Sequence, residues 1–351
     1  MLTLETRGNI VEATTDAIVN TVNCVGVMGK GIALQFRQAF PENYELYRRA
    51  CKQKQVKPGT MLVYRTGKLT PPRFIINFPT KRHWRGKARL EDIQSGLVSL
   101  VEVIKQHDIK AISIPALGCG NGGLKWDSVR PLIEAALTKV PGLDSHLYTP
   151  HGAPAPSAQP VQTKKPRLTD TRAALILLLQ RYQIEGYKHT LLEVQKLAYF
   201  LQVAGQPLKL SFVRDKFGPY AEKLNFVLQA LEGHYIRGYG DRSRAPEIVL
   251  LNGATSEAEG FLRDESAIKC LSMVSELIEG FETPYGLELL STVHWVMADS
   301  AMAGADLSIA ISAVQSWNKR KRELLKPAHI ALAWERLRSE GWAERQVASA
   351  L

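Results

Sequence analysis

Asp16-Ala17-Ile18-Val19-Asn20-Thr21-Val22-Asn23-Cys24-Val25-Gly26-Val27-Met28-Gly29-Lys30-Gly31-Ile32-Ala33 begins as an apolar run, passes through glycines and ends in a helical pattern. The same succession returns downstream in Lys110-Ala111-Ile112-Ser113-Ile114-Pro115-Ala116-Leu117-Gly118-Cys119-Gly120-Asn121-Gly122-Gly123-Leu124. Asp16–Asn20 and Lys110–Pro115 read as buried strands. A strand, a glycine loop and a helix start in that order aim backbone N–H groups at a phosphate. Two such loops in one domain hold a diphosphate from both sides, which points to a nucleotide-like ligand.

Working outward, the first half alternates strand and helix patterns. Gly31–Phe40 reads as a helix stopped by Pro41, and Asn43–Lys54 as another. Thr60–Arg65 and Arg73–Phe78 read as strands, the second ended by Pro79. Leu90–Gln106 carries Ile93, Leu97, Leu100, Val101 and Ile104 on one helical stripe; Trp126–Lys139 is a further helix and His146–Thr149 a short strand. This alternation implies an α/β/α sandwich on a mixed sheet, with ligand loops at the C-terminal ends of the strands. Thr149–Pro166 is rich in Pro, Ala and polar residues and reads as an extended linker. Beyond it the chain is mainly helical. Thr169-Asp170 and Thr190 are positioned to cap helices, Gly218-Pro219 interrupts the pattern, and Tyr235–Tyr239 with Ile248–Leu251 suggests a hairpin. Helices follow at 256–280, 284–298, 307–317 and 327–339. The expected division is residues 1–150, a linker at 151–166, and a helical domain at 167–351, consistent with a length of 351 residues.

No apolar stretch reaches the ~20 residues that span a bilayer, and the N-terminus lacks a signal-peptide pattern. The expected location is the bacterial cytoplasm, with no membrane partner. Cys24, Cys51, Cys119 and Cys270 show no metal or disulfide spacing, and no metal or other cofactor is implied. Cys24 and Cys119, both in glycine loops, read as small residues where backbone must approach a ligand. The net charge of +11 is uneven: residues 1–163 hold 21 Lys/Arg against 12 Asp/Glu, and residues 164–351 hold 24 against 22. A basic first half suits a polyanionic substrate or a solvated basic surface; charge alone does not choose.

The order Gly8-Asn9-Ile10, Asn20-Thr21-Val22-Asn23, Gly29-Lys30-Gly31-Ile32-Ala33, Gly118-Cys119-Gly120-Asn121-Gly122-Gly123 resembles the macrodomain family over residues 1–150. That resemblance implies an ADP-ribose cleft. Gly8, Asn9 and Ile10 would lie near the adenine, where the family often has Asp and where Asn9 would accept through its side-chain oxygen. Gly29, Lys30, Gly31, Ile32, Ala33 and Gln35, with Leu117, Gly118, Cys119, Gly120, Asn121 and Gly122, would wrap the diphosphate and distal ribose. Asn20, Thr21, Val22 and Asn23 complete the set; the two asparagines bond ribose hydroxyls or fix loop geometry.

Asn77-Phe78-Pro79-Thr80-Lys81-Arg82-His83-Trp84-Arg85-Gly86-Lys87 bears on reaction type. Thr80 and Lys81 follow a strand on the edge that carries the glycine loops, so both can face the cleft. An unprotonated amine there can attack an anomeric carbon, and burial or the neighbouring Arg82 and Arg85 would lower its pKa. Read alone, a basic run in a loop is as well a solvated or phosphate-binding face. The Pro-Thr-Lys placement is similar to the lysine of the glycohydrolase branch of macrodomains, and more similar still to that of the DarG antitoxins that remove ADP-ribose from DNA bases. The resemblance makes Lys81 catalytic, as nucleophile or as a cation stabilising the departing base. Asn121-Gly122-Gly123 stands where the terminal glycohydrolase pattern has an Asp. Arg82, Trp84 and Arg85 would contact single-stranded DNA, with Trp84 either stacking on an unpaired flanking base or covering the sheet edge.

In the second half, Val194–Gln202 and Phe217–Leu224 resemble the C-terminal domain of the same antitoxins, which implies binding of a cognate DNA ADP-ribosyltransferase toxin, DarT. Leu191, Val194, Leu197, Ala198 and Leu201 are equally an ordinary helix stripe. The expected function is an antitoxin that hydrolyses the N-glycosidic bond between ADP-ribose and a DNA base. The alternatives are a non-catalytic ADP-ribose reader and a hydrolase of protein-linked ADP-ribose esters.

Overall fold

The computed structural model describes residues 2–5, 8–150, 159–183, 188–240 and 246–345. The chain divides into two compact units, Met1–Lys164 with Gly240–Arg244, and Lys165–Tyr239 with Ala245–Leu351. Residues 151–158 of the expected linker lie outside the described residues. Past them the chain is anchored to the first unit, where Gln162 N–H donates to the Gln38 carbonyl at 2.8 Å.

The first unit is built on a six-stranded mixed sheet in the order β1-β6-β5-β2-β4-β3. Its strands are β1 (Leu2–Glu5), β2 (Ala17–Asn23), β3 (Leu62–Arg65), β4 (Phe74–Lys81), β5 (Ala111–Pro115) and β6 (Asp144–Tyr148). All neighbours run parallel except the edge strand β3, which is antiparallel to β4. Period-two alternation sends successive side chains to opposite faces. Ile18 and Ile75 meet Ile32 and Phe36 of α1 (Gly31–Ala39), and Val22 meets Tyr47 and Ala50 of α2 (Pro41–Lys52). Ala17, Val19, Ile76 and Phe78 meet Ile93, Leu97 and Leu100 of α3 (Leu90–Gln106), with Val129 and Ile133 of α4 (Trp126–Leu137) in the same core. The result is three layers, α/β/α. Gly96 lets α3 close on β4: a Cβ there would fall 2.3 Å from Phe78 Cζ.

Two strand readings change. β2 continues past Asn20 through Thr21–Asn23, which the sequence reading gave to the loop. β4 does not stop at Pro79 but runs to Lys81. Pairing with β3 has ended at Asn77, so the missing N–H costs no bond on that side. On the other side β4 pairs with β2 through a register shift at Val22/Asn23.

In the second unit α5 (Asp170–Tyr182) is capped by Thr169, whose side chain accepts from Arg172 N–H. A short strand β7 (His189–Thr190) leads into α6 (Leu191–Val203), which opens with a capping box between Thr190 and Glu193, worth about 1 kcal/mol. α6 is buried on every side from Glu193 to Val203, so the expected one-sided stripe is instead a central helix. Its polar residues clamp the chain that follows. Gln195 exchanges two hydrogen bonds with the backbone of Ala221 (3.1 and 2.9 Å), Gln202 does the same with Leu210 (2.9 and 2.9 Å), and Lys196 donates to the Pro219 carbonyl at 2.6 Å. Gly218-Pro219 lies in a hairpin, β8 (Val213–Asp215) with β9 (Gly218–Tyr220). After α7 (Leu224–Leu231), β10 (Ile236–Arg237) pairs with β11 (Glu247–Leu250), which also pairs with β7. The helix expected at 256–280 is two, α8 (Ala254–Phe261) and α9 (Glu265–Ile278), because Asp264 turns its side chain to Ser266 N–H and starts a new helix. There follow α10 (Pro284–Asp299), α11 (Ala301–Ala305), α12 (Leu307–Gln315), α13 (Lys319–Leu324) and α14 (Pro327–Ser339). Among the described residues, no helix is long and apolar enough to cross a membrane.

Candidate active site

The C-terminal ends of the parallel strands β1, β2, β4 and β5 carry the residues singled out in the sequence. At the end of β2, Asn20 is fully buried and donates to Asn77 Oδ1 at 3.0 Å; Asn77 in turn donates to Asn43 Oδ1 of α2 at 2.7 Å. Asn23 Oδ1 accepts from Val25 N–H at 3.0 Å and from the Tyr47 hydroxyl at 3.1 Å, while its Nδ2 donates to the Val27 carbonyl at 2.5 Å. The bonds these asparagines make within the chain support the loop, and Asn20 Oδ1 is buried with no hydrogen-bond partner among the described residues. Thr21 is half-buried between them, and Val22 packs under α2.

The stretch past Gly29 and Lys30 delivers the chain to α1, whose first residues are Gly31, Ile32 and Ala33, with Gln35 on the next turn. The Ile32 side chain belongs to the core, so the loop offers its N–H rather than its side chain. The first N–H groups of a helix have no intrahelical acceptor, and the dipole there favours an anion. In α1 the Gly31 N–H is taken by the Gly240 carbonyl at 2.9 Å, which leaves the N–H groups that follow it.

The second loop is laced to itself. Leu117 is core, Cys119 N–H donates to Ala116 O at 3.1 Å, Leu124 N–H to Gly118 O at 3.1 Å, and Ala88 N–H to Gly122 O at 3.0 Å. Gly122 is required by this packing, since a Cβ would fall 2.3 Å from the Gly118 oxygen. Gly120 is different: a Cβ there would meet nothing within 4 Å. Burial pushes the thiols of Cys24 and Cys119 each up to about 11, so both stay protonated at neutral pH, unsuited to nucleophilic attack.

At the end of β4, Thr80 is buried with its hydroxyl 3.4 Å from the Val22 carbonyl. Lys81 is half-buried, and its Nζ donates to the Trp84 carbonyl at 2.7 Å and to the Asn121 carbonyl at 3.3 Å. The lysine and the second glycine loop therefore meet. Burial lowers the Lys81 pKa. The expected help from Arg82 is absent, because Arg82 turns to Asp92 in the first turn of α3, at 3.1 and 3.3 Å, and its charge is matched there. His83 and Trp84 stack at 5.5 Å, and the Arg85 guanidinium lies 4.5 Å from the centre of the Trp84 ring.

Beyond β1, Gly8 sits against the Tyr148 ring, where a Cβ would come within 3.3 Å. Asn9 Oδ1 accepts from Val11 N–H at 3.4 Å and caps the short turn Ile10–Glu12. That bond fixes the amide orientation. The oxygen expected to meet adenine makes this one bond, while the buried Nδ2 donor has no hydrogen-bond partner among the described residues. Sequence reasoning missed Asp92, Asn43, Asn77 and Tyr47, which support the site from neighbouring elements. The one local signal was Asp92 in a helix first turn, and it named no partner.

The model of the Macro domain family matches residues 19–133. A DNA ADP-ribosyl glycohydrolase of Thermus aquaticus is 48% identical over 97% of this chain and 95% of its own length. A DNA ADP-ribosyl transferase–DNA ADP-ribosyl glycohydrolase fusion protein of Thermosipho africanus is 34% identical over 44% of this chain and 43% of its own. Among solved structures, the macrodomain of Mycobacterium tuberculosis DarG is 47% identical, covering 43% of this chain and 98% of its own, with a TM-score of 0.42. With the similarity to the Thermus protein running almost end to end, this chain belongs to the DNA ADP-ribosyl glycohydrolase family.

Proposed function

We propose that this hydrolase cleaves the N-glycosidic bond joining ADP-ribose to a DNA base, with Lys81 as the catalytic residue. The observation that carries the reading is the setting of Lys81: half-buried, with its Nζ between the Trp84 and Asn121 carbonyls. A neutral amine has two N–H groups and one lone pair. Two carbonyls take the N–H groups, which leaves the lone pair for the anomeric carbon of a ribose lying along the second glycine loop. Attack there breaks the N-glycosidic bond, the base leaves with the proton the amine gives up, and water then cleaves the lysine–carbon bond to release ADP-ribose and restore the amine. As an ammonium, the same group stabilises charge on the departing base. The α1 start and the Gly118–Gly122 loop hold the diphosphate, and the Asn9 Nδ2 donor meets a ring-nitrogen acceptor of the base beyond it. The His83–Trp84–Arg85 stack contacts flanking single-stranded DNA, with Arg85 supplying charge and Trp84, 36% exposed, supplying a ring surface. Arg82 is a positioning residue in this reading, holding the loop to α3 through Asp92. The second unit binds the cognate transferase toxin; the fused arrangement of the Thermosipho relative supports a joint action of the two activities.

The test offers single-stranded DNA bearing ADP-ribose on thymidine or on guanosine, beside an ADP-ribosylated protein, and follows ADP-ribose release by mass spectrometry. Wild type is expected to release it from DNA. Lys81→Ala is expected to bind ADP-ribose in calorimetry while turnover falls by about a hundredfold or more. Release confined to the protein substrate overturns the DNA assignment, and unchanged release by Lys81→Ala removes the lysine from the chemistry. Co-purification of the full chain with its cognate transferase tests the partner.

A further inference from the structure

A second concentration of cations lies in the second unit, where the β8–β9 hairpin meets the start of α13. The hairpin is pinned there by side chains: Trp317 Nε1–H donates to the Asp215 carbonyl at 2.9 Å, and Asn318 Nδ2 to the Lys216 carbonyl at 3.1 Å. Gly218, at φ +95°, allows the approach from behind, since a Cβ there would lie 2.9 Å from Thr292 Oγ1. Each aromatic ring at this junction is attended by two cations. Arg214 and Lys321 lie 4.3 and 5.5 Å from the Trp317 centroid, and Arg320 and Lys216 lie 4.6 and 5.2 Å from that of Phe217.

Apart from Asp215, which is exposed on the hairpin itself, the carboxylates of this region are already engaged. Glu288 is buried and takes both Arg320 and Lys321, while Glu323 faces Lys319 at 3.9 Å. Arg214 and Lys216 are exposed and, among the described residues, are paired with no carboxylate. The two edges of the hairpin also differ. On β9, Pro219 has no N–H and its carbonyl accepts from Lys196, so that edge is closed to further pairing. On β8 all three residues are exposed, Val213 by 56%, and β9 is the one strand it pairs with among the described residues. An exposed edge strand flanked by unmatched cations is a template for an added strand that carries acidic side chains.

We propose that β8 is a docking edge for an extended acidic segment of a protein partner. The main-chain N–H and C=O of Arg214, opposite Pro219 and facing away from β9, pair with the segment, and the Arg214 and Lys216 side chains meet its carboxylates. Nucleic acid fits this face less well. Trp317 is 8% exposed and offers no open ring to a base, and an edge strand pairs with a main chain rather than with phosphates.

The test uses the full chain at low salt and fluorescence anisotropy with three probes: a short labelled peptide alternating Val and Glu, the same peptide with Lys for Glu, and a labelled single-stranded oligonucleotide. Wild type is expected to bind the Val–Glu peptide and not the Val–Lys peptide. The double variant Arg214→Glu/Lys216→Glu is expected to weaken binding about tenfold or more. Arg214→Gln/Lys216→Gln, checked by thermal melting, supplies the same reading with less perturbation should the reversal disturb folding. Equal affinity for wild type and the glutamine variant overturns the proposal. So does failure of wild type to bind the Val–Glu peptide, or capture of the oligonucleotide through Arg214 and Lys216 in its place.

Discussion

Lys81 and Arg82 are adjacent in sequence and opposite in circumstance. One is half-buried, its amine facing two carbonyl oxygens; the other reaches outward to a carboxylate on α3. The difference has a pH consequence. Burial lowers the Lys81 pKa from the ordinary lysine value of 10.5, so the neutral amine gains population at a lower pH than in an exposed lysine. For a nucleophile, kcat should rise with pH through a midpoint below that value. Single-turnover release of ADP-ribose across the alkaline range checks this, and a fall over the same range assigns the cationic role instead. The position of Lys81 was legible in Pro79-Thr80-Lys81 because a strand end fixes what its last residues face. The company of Arg82 was not, because Asp92 arrives from another element and no local spacing announces it.

At the scale of elements, the two glycine loops divide their glycines by purpose. Gly122 serves the fold, whereas at Gly120 a side chain would meet no protein atom. Gly120→Val is therefore expected to leave the folding free energy within about 0.5 kcal/mol of wild type, yet to weaken ADP-ribose binding by about tenfold or more where the ligand occupies that space. Calorimetry and thermal melting on the same preparation separate the two effects. Loop and helix were readable in sequence because glycine and apolar period are local signals. The continuation of β4 through Pro79 was not, since it depends on pairing with β3 ending at Asn77, two strand positions earlier. The split at Leu262–Asp264 was missed for a related reason: Asp264 can cap a new helix or ride an old one, and packing decides.

For the whole molecule, the excess of Lys and Arg in residues 1–163 bears on the substrate. If DNA is bound through phosphates, added salt should raise the KM for a modified oligonucleotide steeply while scarcely changing that for a modified mononucleoside. Equal salt dependence for both would remove the polyanion from the account. Composition showed this imbalance, and no composition could have shown that α6 lies at the centre of the second unit. Its glutamines have a further consequence. A glutamine amide offers the same donor and acceptor as a peptide unit, so Gln195 and Gln202 stand beside Ala221 and Leu210 as a neighbouring strand would. Those two residues lie outside regular secondary structure. Their amide hydrogens should nonetheless exchange with solvent as slowly as those of α6 itself, because releasing them requires the buried helix to move. In hydrogen–deuterium exchange, part of what looks like loop should keep the time of the core.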